Sequence, residues 1–181
     1  MKAAGPETAV GPARAEEAPR PFAELLRAHQ AMVFSVASHF LHDRAAAEEI
    51  AQDVFLELYR RLNDLKTEAH VAYWLRKVTS NRCIDYVRKR KLRAAVPLDD
   101  APEPSTVDQR EDVLMNRKLQ NLVACLPEKA RAVVILRYQE DLMPDEIAKI
   151  LDIPAGTVKS HLHRSLALLR EKIGRSLGEV R

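Results

Sequence analysis

Apolar residues recur along this chain at the spacings of helical faces and almost nowhere in the alternation of strands. Phe22, Leu25, Leu26, Val33, Val36 and Phe40 share one face. A second helix is predicted from about Arg44 to Leu65, with Ile50, Val54, Phe55, Leu58 and Leu62 turned inward. A third, about Val71 to Arg90, sets Val71, Trp74, Leu75 and Val78 on one stripe and then places Asn81 and Asp85 on the same stripe. Buried polar groups there need partners or cost about 1 to 3 kcal/mol each. Asp85 is therefore expected to pair with a neighbouring Arg and pin two helices together. Near the other end, Ile147, Ile150 and Leu151 form the inner edge of a short helix that Pro144 opens from its first turn. Ile153-Pro154-Ala155-Gly156 breaks the run, and a new helix begins near Thr157 with Val158, Leu162, Leu166, Leu169 and Ile173 inward. The pattern is helix, short turn, helix.

Glycine placement removes the β alternatives. The five glycines stand at 5, 11, 156, 174 and 178, so the stretch from 12 to 155 offers none of the Gly-containing pairs that tight hairpins use. The one strand-like run, Ala132-Val133-Val134-Ile135-Leu136, lies inside a longer helical pattern. The fold class read from this is all-α.

Proline and charge then divide the chain. Residues 94–111 (AAVPLDDAPEPSTVDQRE) are acidic, proline-rich and aperiodic, the composition of a flexible linker. Net charge is +4 over 21–93, −4 over 94–111 and +3 over 112–181. Two small basic helical domains, 21–93 and 112–175, flank an acidic strap, with 1–20 expected to be a disordered tail and 176–181 a C-terminal tail. At about 70 residues each, the domains are at a size where burial is marginal.

No apolar run approaches the roughly 18 to 20 residues of a membrane span, so no membrane insertion is expected. The first 20 residues lack an apolar core and carry acids, which argues against a secretory or organellar leader. Cys83 and Cys125 have neither a disulfide framework nor metal-ligand spacing, so packing in a reducing cytosol is the expected role of both.

Three surfaces carry candidate chemistry. Glu49, Gln52 and Asp53 stand at i, i+3 and i+4 on the outer side of the second helix and form one acidic patch, either a solvated face or a contact surface. Arg88-Lys89-Arg90-Lys91-Leu92-Arg93 ends the third helix, where cations are favourable in any case and where phosphates would also be attracted. On the last helix Thr157, Ser160 and Arg164 point away from the core, with Lys159 and His163 on one flank and His161 on the other. These side chains suit base edges and phosphates, and a major groove accepts such a helix.

Leu126-Pro127-x-x-x-Arg131-x-Val133, Asp145-Glu146-Ile147-Ala148 and Ile153-Pro154-x-Gly156-Thr157-Val158-Lys159-Ser160 together resemble region 4 of bacterial RNA polymerase sigma factors, sigma-70 family, of the extracytoplasmic-function (ECF) group. Ala47-Glu48-Glu49-Ile50-Ala51-Gln52-Asp53-Val54-Phe55, with Trp74-Leu75, Asn81, Asp85 and Arg88, resembles region 2. The resemblance covers about residues 21–175. It implies a cytoplasmic, non-catalytic specificity subunit, nucleoid-associated when active. Its partners would be promoter DNA, core RNA polymerase (clamp of the largest subunit and the flap) and an anti-sigma factor. By carry-over, Glu49, Gln52, Asp53 and Phe55 would meet the polymerase clamp. Asn81, the segment Asn63 to His70, and Arg76, Lys77, Arg82, Arg88 and Lys89 would face melted −10 DNA. Thr157, Lys159, Ser160, His161, His163 and Arg164 would face duplex −35 DNA. Exposure of Asn81 to a flipped base competes with its place on the apolar stripe; a position at the rim of the core reconciles the two. The linker would thread a polymerase channel, its acidity discouraging adhesion to DNA.

The chain departs from the family in details. Asp152 stands where Gly is preferred, Met143 replaces a Ser cap, and His161 replaces a frequent Arg. Two rival classes remain. An enzyme is disfavoured by the lack of a Gly-rich phosphate loop, HExxH, a di-iron Glu-x-x-His pair or a nucleophile with a readable base, so no catalytic residues, cofactor or metal are expected. A helix-turn-helix regulator acting without polymerase would use 21–93 for sensing or dimerisation and bind a duplex operator alone; the segment Trp74 to Arg93 favours the sigma reading.

Overall fold

The computed structural model describes residues 21–94 and 119–178; the expected N-terminal tail, nearly all of the linker, and residues 112–118 and 179–181 lie outside them. Helix α1 (Phe22–Leu41) buries Leu25, Val33, Val36 and Phe40, while Phe22 and Leu26 sit at the edge of the stripe, half-buried. It ends at His42, whose left-handed backbone (φ 54°) lets its N–H bond the Ser38 carbonyl at 3.0 Å. Asp43 then caps α2 (Arg44–Arg61), its carboxylate accepting from the Ala46 N–H at 3.1 Å. The second helix stops short of its expected end: Leu62–Asp64 tightens into a 3₁₀ turn, and Leu65 is buried beyond it. Thr67 caps the next helix through the His70 N–H, and α3 runs Glu68–Ala94, longer at both ends than expected.

The core stripe of α3 corrects the sequence reading. Val71, Leu75, Thr79, Ser80, Cys83 and Ile84 are buried, whereas Asn81 and Asp85 are exposed. Small Ser, Thr and Cys side chains fill the core where the stripe seemed to turn polar, so the two larger polar residues remain outside. Asp85 pins no helices; its contact is Arg88 on its own helix, at 4.0 Å. Cys83 packs as expected, and burial pushes its thiol up to about 12. Cys125 is exposed in the turn before α4 and does not pack, contrary to expectation.

After a helical run at 119–124, α4 (Glu128–Tyr138) is buried on every side from Ala130 to Leu136, which is why its apolar run looked strand-like. It contacts α1, α3, α5 (Pro144–Leu151) and α6 (Ala155–Gly178). Among the described residues there is no strand, and no helix is long and apolar enough to cross a membrane. The last helix starts two residues before Thr157 and continues to Gly178, into the segment read as a C-terminal tail.

The two halves keep their own helices and also pack on each other, so that Phe40, Leu58 and Leu75 share a core cluster with Leu136, Ile147 and Val158. At this size burial within one half is marginal, and contact between the halves adds to it. Arg131 is the polar centre of this contact. Its guanidinium, 5% exposed, donates to the Phe40 carbonyl at 2.9 Å, to Leu126 O at 3.4 Å and to Ala124 O, and lies over the Phe40 ring at 5.1 Å. Phe40 O is one of the carbonyls that the C-terminus of α1 leaves open, where a cation is favourable. Further bonds join Arg76 to Glu140 (2.9 Å), the Tyr73 hydroxyl to Lys149 O (2.9 Å) and Lys91 to Glu128. The Lys91 bond holds the Glu128 carboxyl below the usual range.

Candidate nucleic-acid interface

The short helix α5 and the long α6 place the candidate residues of the last helix. Pro144 occupies the first turn of α5; Met143 offers no side-chain cap, and Glu146 closes the start instead by accepting from the Met143 N–H at 2.7 Å. Asp152, where the family prefers Gly, ends the helix in the left-handed conformation (φ 53°), and its N–H bonds Ala148 O. The chain then turns through Ile153-Pro154 into α6, where Val158, Ser165 and Leu169 are buried. Burial of these positions turns Lys159, Ser160, His163 and Arg164 outward, all exposed, with Thr157 and His161 half-buried at the edges. Burial first, then Arg164 and Lys129, lower the His161 pKa. The shift favours the uncharged ring, a donor and an acceptor, over the cation. Six side chains named from the sequence thus lie along one helix start, and a Cβ added at Gly156 would meet nothing within 4 Å.

The third helix distributes its candidates less simply. Asn81, Arg88 and Lys89 are exposed, and Lys77 is half-buried with its ammonium 6.0 Å from the Tyr73 ring centroid. Arg76 is not part of this strip. At 100° per residue it stands about 140° round the helix from Asn81, facing the second half, where Glu140 holds it. Arg82 is also engaged: it donates to Asp53 at 2.9 Å and to Glu57 at 2.8 Å, both on α2. The Asp–Arg contact between α2 and α3 is thus made by Asp53 with Arg82, not by Asp85.

On α2 the patch Glu49, Gln52 and Asp53 is exposed as expected, while Phe55 is only 7% exposed. Phe55 belongs to the core and reaches the surface only as part of a groove of about 720 Å³ between α1 and α2, lined also by Phe22, Leu26, Phe34, Gln52 and Leu56. Leu56 and Tyr59 stand exposed along it, Tyr59 edge-on to Phe22 at 5.3 Å. The acidic patch therefore borders an apolar trough, the mixture found at partner interfaces. Glu57, Tyr73 and Glu140 were not singled out from the sequence. Glu57 continues the row of Glu49 and Asp53 at i+4 and was legible there, whereas Tyr73 and Glu140 matter only through contacts between the halves.

Comparison with known proteins agrees with this geometry. The family model for Sigma-70 region 2 matches residues 25–93, and that for Sigma-70, region 4 matches residues 116–169. The RNA polymerase sigma-E factor of Streptomyces avermitilis is 33% identical over 152 residues, covering 84% of this chain and 84% of that protein. The ECF RNA polymerase sigma factor SigE of Mycolicibacterium smegmatis is 30% identical over 180 residues, covering 96% of this chain and 70% of that protein. The sigma factor RpoE of Bartonella quintana, solved with the anti-sigma factor NepR, shares the fold with a TM-score of 0.67 at 18% identity, over 84% of this chain and 96% of that one. With both region models matched in order and relatives similar over most of their length, the chain belongs to the sigma-70 family of RNA polymerase sigma factors, in its ECF group.

Proposed function

We propose that this sigma factor is a non-catalytic subunit that brings core RNA polymerase to a particular promoter set, the second half reading duplex −35 DNA and the first holding the melted −10 strand. The observation that carries the reading is the exposed polar face of α6 from Thr157 to Arg164, built on a turn and a short helix whose other sides are core. Reading a duplex needs a helix in a groove; holding a melted strand needs cations beside a site for an unstacked base, for which Asn81, Lys77, Arg88 and Lys89 stand ready. Glu49, Gln52 and Asp53, with the adjoining groove, would take the polymerase clamp, and the flap and an anti-sigma protein are further partners of this reading. Elements centred about 25 base pairs apart are roughly 85 Å apart along B-form DNA at 3.4 Å per pair. The halves, joined here directly at Tyr73 and Lys149, must part to engage both.

Transcription in vitro with bacterial core enzyme over a randomised promoter library tests this. The expected result is a selected −35 and −10 motif pair, lost with Glu49→Lys, which reverses the patch without touching the Arg82 pairs. Operator binding by the chain alone as a dimer, without polymerase capture, would favour the regulator reading instead.

A further inference from the structure

The surfaces read from the sequence as separate, one for polymerase and one for the −10 strand, meet along one line in the fold. A crevice of about 580 Å³ runs between α2 and α3, with Glu49 and Asp53 on one wall and Arg82, Lys89, Arg90 and Arg93 on the other. Arg82 bridges it. One guanidinium nitrogen takes Asp53 at 2.9 Å and the other takes Glu57 at 2.8 Å, so both ends of the fork are occupied. Glu57 also meets Arg61 at 3.4 Å on its own helix, so it keeps a cation when Arg82 leaves. The Arg82 side chain remains 36% exposed and that of Asp53 51%. Pairs this open to water are weak and exchangeable.

We propose that Arg82 is an exchangeable coupling residue: Asp53 and Glu57 hold it in the free chain, and a cationic polymerase group that takes those carboxylates releases it to a phosphate of the −10 strand. This rests on the function proposed above and adds a consequence to it. Polymerase takes the carboxylate end of one ion cluster and single-stranded DNA the guanidinium end, and either one breaks the same internal pairs, so each strengthens binding of the other by the same factor. The free chain is thereby restrained from adhering to stray single strands, since one of its cations is already satisfied.

The test is anisotropy of a fluorescent single-stranded oligonucleotide of random sequence, about 20 nucleotides long, titrated with the full chain at several salt concentrations. Each phosphate contact steepens the fall of log K with log salt by about 0.7 for single strands. The double variant Asp53→Asn with Glu57→Gln is expected to show a slope steeper than wild type by about that amount. The steepening is expected to vanish when Arg82→Gln is added, and Glu24→Gln, which removes an exposed acid of α1 unpaired with Arg82, is expected to leave the slope unchanged. All these positions are partly exposed, and melting curves confirm folding. An unchanged slope in the double variant overturns the exchange. So does a steepening that survives Arg82→Gln, because loss of acidic charge alone would then explain it. A second arm repeats the titration with wild type and with Arg82→Gln, each saturated with core polymerase, where wild type is expected to gain the slope of one phosphate contact over the variant; equal slopes again overturn the exchange. Failure of the wild-type chain to bind polymerase would overturn the proposed function instead, while the slopes of the chain alone still judge whether Arg82 is held back.

Discussion

Arg131→Ala is the sharpest probe of how the two halves are joined. The side chain is 5% exposed and its two terminal nitrogens donate to three carbonyls, Phe40, Ala124 and Leu126, the Leu126 bond being long at 3.4 Å. Truncation leaves the Phe40 and Ala124 carbonyls without this donor in a buried setting. Hydrogen bonds from a charged donor are worth about 1.5 to 3 kcal/mol each, so two good ones represent about 3 to 6 kcal/mol. Against this stands the penalty of burying the cation, visible in a pKa lowered by burial, and in an Nε without a hydrogen-bond partner. With that relief the net loss is expected to be about 2 to 4 kcal/mol, before any contribution from the cavity. Urea unfolding followed by circular dichroism measures it, and a second, separate transition is the expected sign that the halves no longer unfold together. Arg131→Met, which keeps the stem volume and removes the buried charge with the donors, should lose less than the alanine variant. A loss below about 0.5 kcal/mol for Arg131→Ala, with a single transition retained, would show that the contact between the halves does not depend on this guanidinium.

Three further outcomes are expected. Asp152→Gly should raise stability by about 1 kcal/mol, since a non-glycine residue at φ 53° carries the left-handed penalty; thermal melting would show an unchanged or lower midpoint if the carboxylate contributes more than the strain. His42 keeps solvent access as a residue, yet burial of its ring, then Arg131 and His39, lower its pKa below 6.5. Its stabilising contribution is therefore complete above 6.5 and is lost as pH falls from there through the folded value. His42→Asn, which tolerates the same left-handed backbone, should flatten the decline in melting temperature over that interval, and an undiminished decline would assign it to other groups. Arg164→Ala should weaken binding to a −35 duplex by about 1 to 3 kcal/mol if the side chain contacts a base, with equal affinity for wild type and variant as the refuting result.

What was legible in the sequence was local. Helical spacing placed α1, α5 and α6 and their inward residues, because an amphipathic helix writes its buried face at a fixed period whatever it packs against. Turn chemistry marked the break before α6, and the polar face from Thr157 to Arg164 followed once Val158 and Leu169 were known to point inward. The patch Glu49, Gln52 and Asp53 followed likewise from i, i+3, i+4 geometry. The middle of α3 was misread because Ser80, Thr79 and Cys83 look polar or neutral in a pattern and yet are small enough to be core, which turned the stripe away from Asn81 and Asp85. Tertiary structure alone decided which charges another helix holds. Arg76 and Arg82 sit on the same helix as Arg88, with the same chemistry, but Glu140 claims the first and Asp53 with Glu57 the second. Arg131 shows the same limit, since the carbonyl it reaches belongs to Phe40, 91 residues away. Periodicity reports which side of a helix is buried; it carries no information on which distant backbone or carboxylate meets that side, because the pairing depends on how whole helices are set against one another.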